Sequence, residues 1–440
     1  MDQPRKPLII RGARQVGKTT VVKEFAKTYK QKIFLNLEKS SDCVFFFNSD
    51  DVHTIVNAIF LKNELDSKDI SETLLFIDEI QEYPKAIQLL RYFYEELPKL
   101  HVIAAGSLLE FASKEVASFP VGRVEFLYLS PFNFVEYLTA KGYDNTLHQL
   151  RTIPVKPFAH HVLKDLFHHY CLIGGMPEII KLDIAGKKLP ELIKIYDSLW
   201  KTFAGDAVKY APNGVGKNIT KHLLSKAAFF IDRRIKFQNF GESNYKSREV
   251  GEVFRRLDQA QIIQLLYPTT NHQTPLVPNF KKSPKLQFLD TGLLNFILGI
   301  HSDLLGLDDF SGSYKGSLIP HIIFQELISI QNRTNDLPKF WVRDVKYQSA
   351  EVDLVQVIDG KVIPIEIKSG SAGKLRSLHQ FILQSNHPYA VRIYGGEFSI
   401  QETKTVNGKP FLLMNLPYYL GTQLKEYLLY FVRNHRLHAY

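Results

Sequence analysis

The 440 residues carry 55 Lys and Arg against 45 Asp and Glu, a formal net charge of +10, with 45% apolar and 12% aromatic residues. That balance excludes a disordered or fibrous chain, and the length predicts two or three domains at roughly 100–200 residues each. Two distant cysteines, Cys43 and Cys171, exclude a disulfide framework, and no apolar run approaches the roughly 18 residues of a membrane span, so a cytoplasmic protein without signal peptide or membrane partner is expected.

Along residues 1–145, short apolar runs alternate with amphipathic stretches. Leu8–Ile10, Ile33–Leu35, Leu74–Ile77, Val102–Ala105 and Phe126–Leu129 read as buried strands. Lys18–Tyr29, Val52–Glu64, Lys85–Glu96 and Phe134–Lys141 read as the helices between them. Strands alternating with helices predict an α/β domain: a parallel sheet with helices on both faces.

Between the first strand and first helix lies Gly12-Ala13-Arg14-Gln15-Val16-Gly17-Lys18-Thr19, followed by Thr20. This is the G-x-x-x-x-G-K-[ST] pattern of a P-loop. Its glycines let backbone N–H groups curl around phosphate oxygens, Lys18 reaches the β- and γ-phosphates, and the Thr19 hydroxyl ligates Mg²⁺. About sixty residues on, a buried strand ends in Asp78-Glu79. Asp78 is expected in the Mg²⁺ shell and Glu79 as the base that orients or deprotonates the attacking water. Ser107 ends the next strand and is a candidate γ-phosphate contact, with a plain helix N-cap as the alternative. Arg123 is a candidate arginine finger, in this subunit or across a self-association contact, with a surface ion pair as the alternative.

GARQVGKT, LLFIDEIQ, AAGS and GRVEFLYLSPFNFVEY, in that order, resemble the AAA-type ATPases of bacteria and archaea that carry a C-terminal domain of unknown function. YCLIGGMPE at Tyr170–Glu178, FLDTGLLN at Phe288–Asn295, EVDLV and PIEIKSG are similar to the later parts of that family. The resemblance implies a P-loop NTPase fold that binds ATP.

Residues 146–310 are mostly helical by pattern, and residues 151–300 hold 22 Lys and Arg against 12 Asp and Glu, the whole of the chain's basic excess. Ser247–Ile263 has a helical apolar rhythm flanked by Lys246, Arg248, Arg255 and Arg256. It is followed by a strand-like run, Lys281-Lys282, and another strand-like run from Lys285. Helix, strand, basic loop, strand is the outline of a winged helix, which makes DNA a candidate partner; a winged helix that only packs within the protein is the alternative.

In residues 311–440, Val352–Ile358 and Lys361–Ser369 flank Asp359-Gly360, the signature of a two-residue type I′ hairpin. That turn sets Asp353 opposite Glu366 and Glu351 opposite Lys368 on one face, with Val352, Leu354, Ile365 and Ile367 on the other. Opposed carboxylates call for a cation between them, and a second divalent metal is expected. Asp353, Glu366 and Lys368 resemble the PD-(D/E)xK nuclease core, and Glu326 on a preceding helix is the candidate third acid. An inert scaffold with a Glu351–Lys368 ion pair is the alternative. The expectation is therefore a Mg²⁺-dependent ATPase driving a DNA-associated switch or motor. An ATP-gated nuclease and a nucleotide switch for protein signalling stand beside it.

Overall fold

The computed structural model describes residues 5–106, 120, 122–209, 211, 214–305, 316–331, 337–344, 350–370 and 375–437. The chain divides into two compact units, residues 1–130 with 259–261, and residues 131–258 with 262–440.

In the first unit, β1 (Leu8–Arg11), β2 (Gln31–Asn36), β3 (Thr73–Asp78), β4 (His101–Gly106) and β5 (Glu125–Tyr128) pair in the order β2-β3-β4-β1-β5. Every pairing is parallel. Alternating side chains leave the sheet on opposite faces. Leu75, Ile77, Val102 and Ala104 pack with α3 (Val52–Lys62) and α4 (Pro84–Glu96), while Leu74, Phe76, Ile103 and Ala105 pack with Val22 and Ala26 around α1 (Lys18–Phe25). Double-sided burial is why β3 reads TLLFID, apolar without alternation. The expected α/β layering is present, with one helix that pattern reading passed over. This is α2 (Ser40–Phe47), whose aromatic tail looks like a strand but is held helical by burial of Cys43, Phe45 and Phe46.

The second unit opens with α5 (Phe134–Ala140). Its start is written in a capping box: the Asn133 side chain accepts from the Glu136 N–H and the Glu136 carboxylate accepts from the Asn133 N–H, both at 2.9 Å. Phe134 then packs edge-on against Phe167, 5.1 Å between ring centroids. These contacts tie α5 to the second unit, and the division between the units falls after Ser130. The boundary expected at 310 lies among residues 306–315, outside the described residues. Residues on both sides of it belong to one unit.

Helices α6 (Asp144–Arg151), α7 (His160–Ile173), α8 (Pro177–Ile184), α9 (Leu189–Lys209) and α10 (Gly214–Lys226) lead to α11 (Ser247–Gln259). An antiparallel pair follows, β6 (Ile263–Leu266) and β7 (Lys285–Phe288), then α12 (Thr291–Leu298) and α13 (Leu318–Ser329). A six-stranded mixed sheet closes the chain. It contains β8 (Lys339–Val342), β9 (Glu351–Ile358), β10 (Lys361–Ile367), β11 (Tyr389–Tyr394), β12 (Ser399–Lys404) and β13 (Pro410–Pro417), ordered β12-β13-β11-β10-β9-β8. α14 (Arg376–Gln384) connects β10 to β11, which pair in parallel, and α15 (Leu424–Asn434) follows the last strand.

Candidate nucleotide site and C-terminal charge cluster

The P-loop leaves β1 at its C-terminal end. Gly12 has φ 157° and a Cβ there would strike the Leu129 carbonyl oxygen, so the first glycine is required by close backbone approach. Gln15 and Gly17 follow in the left-handed region, with φ of 61° and 96°, and turn the loop into the N-terminus of α1. Ala13 and Val16 are buried beneath it, and Thr20 is exposed on the helix. Lys18 is buried, and its ammonium donates to the Gly12 and Ala13 carbonyls at 2.9 Å each. Burial pushes its pKa down to about 8, against the pull of Glu79 and Asp78.

Asp78 ends β3 and meets the loop directly: the Thr19 hydroxyl donates to Asp78 Oδ2 at 2.7 Å. A hydroxyl and a carboxylate held together beside a phosphate-binding loop are a fitting donor pair for Mg²⁺, which keeps water and phosphate oxygens for its remaining positions. Glu79 adopts φ 50°, ψ 44°, a left-handed conformation that costs a non-glycine residue about 1 kcal/mol or more. Its Oε2 accepts from Gln81 Nε2 at 2.5 Å, and burial raises its pKa. Strain of this kind is kept where a side chain must be aimed.

The two remaining expectations fare differently. Ser107 lies outside the described residues, although β4, which leads to it, sits between β1 and β3 as required. Arg123 precedes β5, at the N-terminal edge of a parallel sheet whose P-loop and Asp78 both lie at the C-terminal edge. There its Nε donates to Glu95 Oε1 at 2.7 Å. It cannot reach a nucleotide on its own P-loop; the parallel strands themselves separate the two.

At the C-terminal sheet the hairpin register is as expected, with Lys361 opposite Ile358 and Ile365 opposite Leu354. Asp359 and Gly360 both have positive φ, 46° and 75°, as a type I′ turn demands. Val352, Leu354, Ile365 and Ile367 are buried on one face. On the other, the cation among the carboxylates is a lysine. Lys285 of β7 is 2% exposed, and its ammonium lies 3.1 Å from Glu351, 3.4 Å from Asp232 and 3.5 Å from Asp353. Burial alone would lower its pKa, but the carboxylates outweigh burial and raise it, so it stays charged. Lys368 pairs with Glu366 at 2.6 Å, not with Glu351. Burial and the neighbouring Asp353 push Glu366 up to about 7. Among the described residues no group of three His, Cys, Asp or Glu side chains is arranged to hold a metal. Lys285 thus supplies a cation to Glu351 and Asp353, while Glu366 is paired with Lys368.

Glu326 does not join this cluster. It is fully buried, and both its oxygens face the Phe134 N–H at the start of α5, at 3.1 and 3.2 Å. The Tyr170 hydroxyl donates to it at 2.8 Å. Burial raises it to about 8. This contact is part of a hub that unites the remaining motifs. Asp290 caps α12 through the Leu293 N–H and accepts from the Gly175 N–H at 2.6 Å. Gln325 accepts from Thr291, and Asn295 donates to the Cys171 and Leu172 carbonyls. A Cβ on Gly174 would strike the Asp290 carboxylate, one on Gly175 the Phe132 backbone, and one on Gly292 the Ile173 carbonyl and Tyr196 hydroxyl. The GGMPE and DTGLLN runs are therefore packing signatures.

Residues 4–138 match the family model of an AAA domain. Residues 164–304 match a Domain of unknown function (DUF8612), and residues 315–412 a Domain of unknown function (DUF4143). No curated protein matches the chain. The N-terminal unit is an AAA-type P-loop domain, and its match supports nucleotide-binding ATPase activity, which in AAA domains generally uses ATP with Mg²⁺. No helix among the described residues is long and apolar enough to cross a membrane.

In the AAA domain, the P-loop and acidic pair were legible because each is a local run. Lys285 and Asp232 were missed because they come from a different hairpin and segment, and no local pattern marks a lysine that folding will bury.

Proposed function

We propose that this chain is a Mg²⁺-dependent ATPase that acts as a nucleotide switch. The observation that carries it is the 2.7 Å contact between Thr19 at the start of α1 and Asp78 at the end of β3, which joins the two motifs of the AAA domain into one site. Mg²⁺, when bound, supplies neutralisation of the β- and γ-phosphate charge. Thr19 and Asp78 hold it, and Lys18 binds the β- and γ-oxygens. Glu79 orients a water on the γ-phosphorus and takes its proton; the bond to the β-γ bridging oxygen breaks, and ADP and phosphate leave. A raised Glu79 pKa makes that carboxylate a better proton acceptor.

DNA is the partner that the exposed cations favour. Lys246, Arg248 and Arg255 are exposed at and along α11, and carry no ion pair among the described residues. The loop between β6 and β7 supports a winged-helix reading in outline, but it is tied down: Thr269 bonds to Phe340 and Val342 of β8, and Lys282 pairs with Asp344 at 2.7 Å. DNA contact is therefore assigned to α11 rather than to the wing. The order α13, three antiparallel strands β8-β9-β10, α14 and the parallel β11 supports a nuclease-like fold. Lys285 among its acids favours a scaffold over a cleaving centre.

The test is ATP turnover in wild type and Glu79→Gln, with and without duplex DNA at low salt. DNA stimulation that is lost in Lys246→Ala/Arg248→Ala/Arg255→Ala supports the full reading. Turnover indifferent to DNA leaves the ATPase and moves the partner to a protein.

A further inference from the structure

Resting on the ATPase reading above, we propose that Arg14 is the cation that meets the γ-phosphate, an arginine finger carried in cis by the phosphate-binding loop itself and held otherwise by Glu38. The first support is geometric. Arg14 Nη2 lies 3.4 Å from Glu38 Oε1. Arg14 belongs to the loop after β1, and Glu38 follows β2, two residues past Asn36, which pairs with Asp78. In the order β2-β3-β4-β1, a bond between those two loops crosses the C-terminal ends of β4 and β3. Asp78 and Glu79 stand there, and neighbouring strands are only about 5 Å apart. The Arg14–Glu38 contact therefore lies along the C-terminal edge of the sheet, the edge that the ATPase reading gives to the γ-phosphate and attacking water.

Electrostatics agree. The Arg14 charge acts on Glu79, favouring its ionised form, and on Lys18, opposing its protonation, so it lies within range of the base and the P-loop lysine together. Arg14 is 27% and Glu38 48% exposed, and a solvent-exposed ion pair of this kind contributes little to stability. A planar guanidinium can then bond two γ-oxygens at once, where the Lys18 ammonium serves as a single point charge. The position also fills a need. The other candidate finger, Arg123, is bonded to Glu95 at the far edge of the sheet.

The experiment compares full-length wild type, Arg14→Ala and Arg14→Lys in three readouts: steady-state turnover, ADP affinity, and affinity for ADP with aluminium fluoride, a mimic of the transferring phosphoryl group. Arg14→Ala should lose about 100-fold or more in kcat. It should bind ADP within about threefold of wild type, which also reports an intact fold, and lose most of the extra affinity for the fluoride complex. Arg14→Lys should fall between. Wild-type activity per subunit should be flat with protein concentration. An active wild type matched by Arg14→Ala overturns this inference alone, as does restoration of Arg14→Ala activity by mixing it with a Lys18→Ala chain. An inactive wild type overturns the ATPase reading and this inference with it.

Discussion

Lys18 and Glu79 are two buried ionisable groups whose pKa values are displaced toward each other, one down to about 8 and the other up from 4.5. Catalysis needs Lys18 charged and Glu79 ionised. In kcat/KM, which reports the free protein, activity should fall on the alkaline side as Lys18 loses its proton near pH 8. It should fall on the acid side at a pH above that of an ordinary glutamate. A profile flat from pH 5 to 9 would count against both assignments. Lys18→Ala should abolish nucleotide binding, measured by titration with a fluorescent ATP analogue, because no other buried cation faces the loop mouth among the described residues. Glu326 also has a raised pKa, and its consequence is for stability. A carboxyl raised from 4.5 to about 8 contributes fully below pH 4.5, and its contribution is lost as pH rises through 8. Urea melts of the wild type should show that decline, and Glu326→Gln, which cannot ionise, should show a flatter one.

At the scale of elements, the register of the β9–β10 hairpin was readable from Ile358–Lys361 to Leu354–Ile365 because it depends on two adjacent turn residues and a period of two. The partner of its carboxylates was not readable, since Lys285 arrives on β7 by tertiary packing. The same limit applies to Glu326. Its place on α13 was visible in the helical pattern, but the direction of its side chain depends on α5, which brings the Phe134 N–H to it. For Arg123 topology bears only on its own P-loop: a residue just before a parallel strand lies at the N-terminal edge of the sheet, and the P-loop lies at the C-terminal edge. The lysine-filled cluster makes its own prediction. Lys285→Ala leaves Asp232, Glu351 and Asp353 facing each other without their cation, and should destabilise the protein by about 3–5 kcal/mol in denaturant melts. Millimolar Mn²⁺ should recover part of that loss in the variant and leave the wild type unchanged. Equal Mn²⁺ stabilisation of both would mean that the wild-type cluster already takes a metal.

For the whole molecule, the basic excess confined to residues 151–300 matters only through where its cations end up. Several are spent internally: Lys285 in the charge cluster, Lys282 on Asp344, Arg256 on Glu252. Those left exposed at and along α11 are few, so DNA binding through them should be salt-sensitive but shallow, with a log–log slope of about −3 for three phosphate contacts. Glu79, left-handed and bonded to Gln81, is the residue on which hydrolysis turns. The deciding measurement is phosphate release by wild type and Glu79→Gln, followed by analysis of the nucleotide each retains after rapid desalting. The wild type should release phosphate steadily, and Glu79→Gln should release none and retain intact ATP. Equal release by the two proteins would contradict that role for Glu79.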